Sequence, residues 1–95
     1  MTTINYEEAK RLAMDYISHQ DCDFELVLLE DETITEEFGW VFFYNTKKFQ
    51  ETGDFRDMLG GNAPIIVDIG GGQITETGTA YDIDHYIDEY RANRK

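Results

Sequence analysis

Ninety-five residues hold one domain and one core, and with 41% apolar and 14% aromatic residues the chain is globular despite a net charge of −12 from 20 acids against 8 bases. That charge excludes nucleic-acid phosphates and anionic lipid surfaces as partners, because they carry the same sign. No apolar run is long enough to span a bilayer, residues 1–8 lack the basic and apolar regions of a secretory signal, and the single cysteine, Cys22, cannot form an internal disulfide, so a cytoplasmic protein is predicted.

The first element is a helix. Asn5 with Glu8 three residues on forms a capping-box pattern, with acids Glu7 and Glu8 in the first turn and bases Lys10 and Arg11 beyond it, as the helix dipole favours. Ala9, Leu12, Ala13, Tyr16 and Ile17 recur at helical spacing and mark one buried face, and the pattern fades at Ser18-His19-Gln20. Residues 24–29 read as a first strand and 38–44 as a second, joined by a hairpin through 30–37. The second strand is apolar at odd and even positions alike, so both its faces need cover and it belongs in the centre of the sheet. Trp40 and Phe42 should share one buried face, with Phe43 on the other.

The connection over 45–62 is too long for a plain loop. Phe49, Phe55, Met58 and Leu59 give it apolar anchors, and 55–59 predict a short helix capped by Asp54 and ended at Gly60 or Gly61. Pro64 fits the first position of a third strand over 65–69, where its missing N–H matters least. Gly70-Gly71-Gly72 is a turn, and 73–77 form a fourth strand exposed on one face. A last helix spans 82–91, with Ile83, Tyr86, Ile87 and Tyr90 facing inward and Asp82 and Asp84 at its positive end, and the charged tail 91–95 is expected to fray. The predicted fold is α+β: a mainly antiparallel four-stranded sheet, an N-terminal and a C-terminal helix packed on one side, and a short helix in the central connection, all within one domain over 1–95.

No chemistry-bearing constellation survives comparison with its plain alternative. The glycine run leads into a strand with no base nearby, which is a hairpin turn rather than a phosphate cradle. His19 and Cys22, with Asp21 and Asp23, have a spacing a metal could use, but zinc wants three or four ligands and the other histidine, His85, is on the last helix. The flanking Asp21 and Asp23 oppose a Cys22 thiolate. Glu36-Glu37 and the Asp82, Asp84 pair could mimic glycosidase carboxylates, but a domain this small rarely encloses a sugar, and a solvated face is the expectation. Residues 31–36 lack the glycine and ligand alternation of a calcium loop. Catalytic residues, metal and cofactor are therefore all expected to be absent.

Charge and aromatics point to a partner instead. Between Leu12 and Thr46 there are nine acids and no Lys or Arg. Glu30, Asp31, Glu32, Glu36 and Glu37 are the candidate partner-binding residues, facing a protein with a basic surface, with solubility as the plain alternative. Six Tyr, six Phe and one Trp exceed what a core of this size requires, and one or two Tyr at the rim of an acidic surface would suit an interface.

Several stretches, in order along the chain, carry a resemblance: Tyr6-Glu7-Glu8-Ala9, Gly39-Trp40-Val41-Phe42, Glu51-Thr52-Gly53-Asp54, Gly61-Asn62-Ala63-Pro64-Ile65-Ile66-Val67-Asp68, Gly78-Thr79-Ala80 and His85-Tyr86-Ile87-Asp88-Glu89-Tyr90. With them the chain resembles the bacterial polymorphic-toxin immunity protein family thirty-five, which includes YrhB-like domains. It departs from that pattern at Asp82, where related chains often carry Pro, and in the unusually acidic stretch 30–37. The resemblance implies a non-enzymatic α+β domain that binds and neutralises a cognate toxin in the producing cell, often a toxin of papain-like cysteine-protease or deamidase type. YrhB-like members are also described as chaperone-like, so a holdase that binds many unfolded clients weakly is the alternative. An enzyme of unknown type is the further alternative, and homo-oligomerisation stays open. The matching residues are fold determinants and do not locate the toxin-binding surface.

Overall fold

The computed structural model describes residues 3–19, 25–53 and 63–94. The first helix, α1 (Tyr6–Ser18), starts at the signalled cap: the Asn5 side chain accepts a hydrogen bond from the Glu8 N–H at 2.9 Å, satisfying one of the donors that a helix start leaves open. Ala9, Ala13 and Ile17 are buried, with Tyr6, Leu12 and Tyr16 packed beside them. The small alanines let the helix lie close against the sheet.

Six short strands follow among the described residues: β1 (Leu26–Leu28), β2 (Ile34–Glu36), β3 (Gly39–Phe42), β4 (Tyr44–Thr46), β5 (Ile65–Asp68) and β6 (Ile74–Glu76). They form an antiparallel four-stranded sheet in the order β2-β3-β5-β6 and an antiparallel pair, β1-β4. The strand predicted over 38–44 is therefore interrupted at Phe43: its first part enters the larger sheet, and its second runs on to Thr46 beside β1.

The cause is a slip in register. Between the pairs Leu28↔Tyr44 and Ile34↔Val41, six residues of one arm advance against three of the other. The surplus is wound into a 3-10 turn at Glu30–Glu32, and the Leu29 N–H reaches the Phe43 carbonyl at 2.8 Å across the slip. The chain reverses at Glu37-Phe38 rather than throughout 30–37, and the stretch read as a turn contains a strand of its own.

Gly39 opens β3 at φ 148°, and a Cβ there would fall on the Val67 carbonyl oxygen, so a glycine is required where β3 meets β5. The glycine turn behaves as predicted: the Asp68 N–H donates to the Gln73 carbonyl at 2.9 Å, and Gly71 and Gly72 take positive φ. Pro64 stands just before β5, and its carbonyl accepts from both the backbone N–H and the hydroxyl of Thr77, closing the far end of the β5-β6 hairpin.

Every residue of β3 and β5 is buried. Trp40 and Phe42, paired with Val67 and Ile65, share one face with Ala9, Ala13 and Ile17 of α1. Val41 and Ile66 point to the other, where they pack with Phe38, Ile34 and Phe43 under the last helix, α3 (Ile83–Asn93), which contributes Ile87, Ile83 and Tyr90. The two long helices thus lie on opposite faces, not on one side as expected. A strand pair apolar in both directions needs a layer on each face. The expected division of Trp40 and Phe42 from Phe43 holds.

The central connection begins with a helix that the sequence reading did not place, α2 (Lys47–Thr52), capped by the Thr46 hydroxyl at 3.0 Å from the Phe49 N–H and ended by Gly53 at φ 70°. The helix predicted over 55–59 and the Phe24 start of the first strand lie outside the described residues. The tail expected to fray is helical through Asn93, and Arg94 is tied to the sheet.

Candidate partner-binding surface

The five acids singled out in the sequence do not form one cluster. Glu30, Asp31 and Glu32 sit on the 3-10 excursion, whereas Glu36 and Glu37 sit at the end of β2 and in the following turn. Glu30 accepts an ion pair from Lys10 of α1 at 2.8 Å, and that hydrogen bond raises the Lys10 pKa. Glu36 and Glu37 both bind the Arg91 guanidinium of α3, which also reaches Asp88 at 3.0 Å. Arg91 holds the Glu37 carboxyl below its ordinary range, and Glu37 in turn raises the Arg91 pKa. The expectation of a merely solvated Glu36-Glu37 face is therefore corrected: a base 54 residues away in the chain lies across it. Asp31 and Glu32 are exposed. With Leu28, Leu29 and Gln50, the excursion lines an open groove of ≈ 410 Å³ between the β1-β4 pair and α2.

A second polar centre had a faint sequence signal, an acid ending the apolar run Ile65-Ile66-Val67-Asp68. Asp68 is 7% exposed and points to the α3 face. Arg94 grips it in a fork, Nε to Oδ2 at 2.8 Å and Nη2 to Oδ1 at 3.0 Å, while the Tyr90 hydroxyl donates at 2.5 Å and the Gly70 N–H at 2.7 Å. Arg94 holds the Asp68 carboxyl well below the usual carboxylate range; burial opposes this, and the Tyr90 and Gly70 donors reinforce it. Burial, then the bond to Asp68, pushes the Tyr90 phenol up to about 12. Tyr90 and Arg94, spaced one helical turn apart, are the detectable half of this pattern. All of these donors converge on one carboxylate, so the arrangement ties α3 to β5. Arg91 also lies over the Phe38 ring at 5.8 Å from its centroid.

Among the described residues, no three His, Cys, Asp or Glu side chains converge as metal ligands. His19 ends α1 with its Nδ1 2.7 Å from the Asp15 carbonyl, and His85 is on α3; Asp21, Cys22 and Asp23 lie outside the described residues. No helix among the described residues is long and apolar enough to cross a membrane.

The family model described as "Immunity protein 35" matches residues 7–91. A protein of Escherichia coli (strain K12) described as "Uncharacterized protein YrhB" is 33% identical over 91 residues, covering 96% of this chain and 93% of that one. No solved structure matches. The family model runs from the first turn of α1 through the central sheet to most of α3, and the chain belongs to the immunity protein 35 family.

Proposed function

We propose that the protein binds one cognate polymorphic toxin stoichiometrically in the cytoplasm of the producing cell and neutralises it. The observation that carries this reading is the family match over 7–91. A net charge of −12 supports a toxin with a basic surface. Papain-like cysteine-protease or deamidase toxins are the class to test first.

Within that reading, the contact surface includes Glu30, Asp31, Glu32, Glu36 and Glu37. Asp31 and Glu32, exposed and lining the groove beside α2, are the acids that would meet the toxin's cations directly. Glu30, Glu36 and Glu37 already have Lys10 and Arg91 as partners, so they contribute to the long-range field more than to new pairs.

The test is to co-express the protein with the toxin encoded beside it and measure growth, then follow association of the purified pair across ionic strength. Wild-type protein should restore growth and form a one-to-one complex whose association slows as salt rises. A variant with Asp31→Asn and Glu32→Gln should associate more slowly at low salt and respond less to salt. Equal rates at every salt concentration would remove the acidic excursion from the interface. Failure to bind any neighbouring toxin, combined with suppression of aggregation of unrelated unfolded proteins, would replace immunity by a holdase function.

A further inference from the structure

Five of the six tyrosines have identifiable structural duties. Tyr6 packs its ring against Trp40 and Phe42, Tyr44 is buried, and the Tyr16 hydroxyl donates to Glu76. The Tyr90 hydroxyl donates to Asp68, and the Tyr86 hydroxyl accepts from the backbone N–H groups of Ala80 and Tyr81 at 3.2 and 3.3 Å. Tyr81 differs from all of them. It is 63% exposed, and its ring lies 4.3 Å from the His85 ring, tilted by 36°.

This pair is preorganised and set in an acidic field. The Tyr86 hydroxyl pins the backbone that carries Tyr81, and the Tyr86 ring meets His85 edge-on at 5.4 Å. Asp82 precedes α3, Asp84 lies in its first turn, and Glu89 stands 3.6 Å from His85 Nε2. No Lys or Arg occurs between Arg56 and Arg91 in the sequence. An exposed aromatic pair with Glu89 at its imidazole edge and Asp82 and Asp84 beside it in the chain suits a cation that offers a flat face. Holding the aromatic in place beforehand lowers the ordering cost of binding.

We propose that Tyr81 and His85 form an aromatic anchor for an arginine side chain of the partner protein, with Asp82, Asp84 and Glu89 as its acidic rim. This rests on the reading of the partner as a protein with a basic surface and names a contact on it. The anchor lies on the loop and first turns of α3, apart in sequence from the acidic excursion at Glu30–Glu32. A cation over an aromatic face changes affinity by a factor of about 2 to 30, depending on how completely the contact is desolvated.

The first test uses a probe that needs no toxin. The full-length protein is titrated with a capped Gly-Arg-Gly-Arg-Gly peptide and, separately, with its citrulline counterpart, while the aromatic NMR signals are followed. The arginine peptide should shift the Tyr81 and His85 ring signals saturably and leave Trp40 unmoved, and the citrulline peptide should not. Tyr81→Phe should bind within about twofold of wild type and Tyr81→Ala about tenfold more weakly, since a truncated hot-spot aromatic commonly changes binding by that factor or more. Equal binding of the Tyr81→Ala variant, or shifts confined to residues 30–32, would overturn the anchor. In a second arm the same variants are measured against the co-expressed toxin, where Tyr81→Ala should raise Kd about tenfold, chiefly through faster dissociation. Toxin binding that is equal for wild type and Tyr81→Ala sinks the anchor alone. If wild type binds no toxin, immunity fails, and the peptide arm still decides the anchor. Because Tyr81 is exposed, unchanged melting temperatures of all variants separate a binding effect from unfolding.

Discussion

α1 reaches the sheet through three buried side chains, Ala9, Ala13 and Ile17, set against Trp40, Phe42, Ile65 and Val67. α3 reaches the opposite face through one, Ile87, flanked by the half-buried Ile83 and Tyr90, and is otherwise held by Arg91 on Glu36 and Glu37 and by Arg94 and Tyr90 on Asp68. Both helices have polar ties, since Lys10 meets Glu30 and the Tyr16 hydroxyl meets Glu76 on the α1 side. The difference is what each helix itself still buries when the ties are removed: three side chains from α1, and from α3 a single isoleucine laid on Phe38, Val41 and Ile66. Apolar burial offers no charge for salt to screen or for acid to titrate, whereas ion pairs respond to both. The α3 face, which also carries the proposed arginine anchor, is therefore the half of the molecule that solution conditions can tune.

The strongest way to break this comparison is through the apolar side. Trp40→Ala should destabilise the protein by ~3–5 kcal/mol in denaturant unfolding, and by the same amount at low and high salt, because truncating a buried aromatic leaves a cavity that no ion fills. A Tm essentially equal to that of wild type would mean that Trp40 is not a core residue.

On the other face, Asp68→Asn should cost about 2 kcal/mol at neutral pH, the scale of a hydrogen-bonded charge removed. The figure stays below that of a fully buried pair because the Arg94 side chain is 37% exposed and can turn to water. The folded carboxyl is depressed below its unfolded value, so its contribution is complete above the ordinary carboxylate pKa of ~3.9 and is lost as pH falls toward the folded value. The gap between wild type and variant should therefore narrow below about pH 4. A gap that widens with acid would reverse the sign of this argument. At the alkaline end Tyr90, raised to about 12, contributes stability that is present below the ordinary phenol range and fades as pH climbs toward 12.

Two smaller effects sharpen the contrast. Asn5→Ala removes the α1 cap and should lower stability by ~1 kcal/mol with little response to salt. Arg91→Gln should lower stability only slightly in dilute buffer, because its partners are solvent-screened, and should have no measurable effect in molar salt. Amide exchange in α3 should quicken in the Arg91→Gln variant while α1 is unchanged; equal quickening in both helices would show that the two faces open together.

What the sequence determined by itself is local. The Asn5–Glu8 cap, the stripe from Ala9 to Ile17, the glycine turn after Asp68 and the inward face of α3 follow from helical and strand periodicity and from turn chemistry, each acting over a few residues. The two-sided apolar pattern around Trp40 also demanded two layers, although the expected helix placement did not honour it. The tertiary structure decided everything that depends on residues far apart in the chain. The three-residue slip that coils Glu30–Glu32 out of the ladder depends on strand pairing, and no local signal measures register. The acidic stretch looked unbalanced because its cations, Lys10 and Arg91, come from opposite ends of the chain. Asp68 looked like the end of a strand until α3 brought Tyr90 and Arg94 across it. The exposure of Tyr81 likewise emerged only once packing had engaged the other five tyrosines, because burial is a property of the assembled faces and not of residue type.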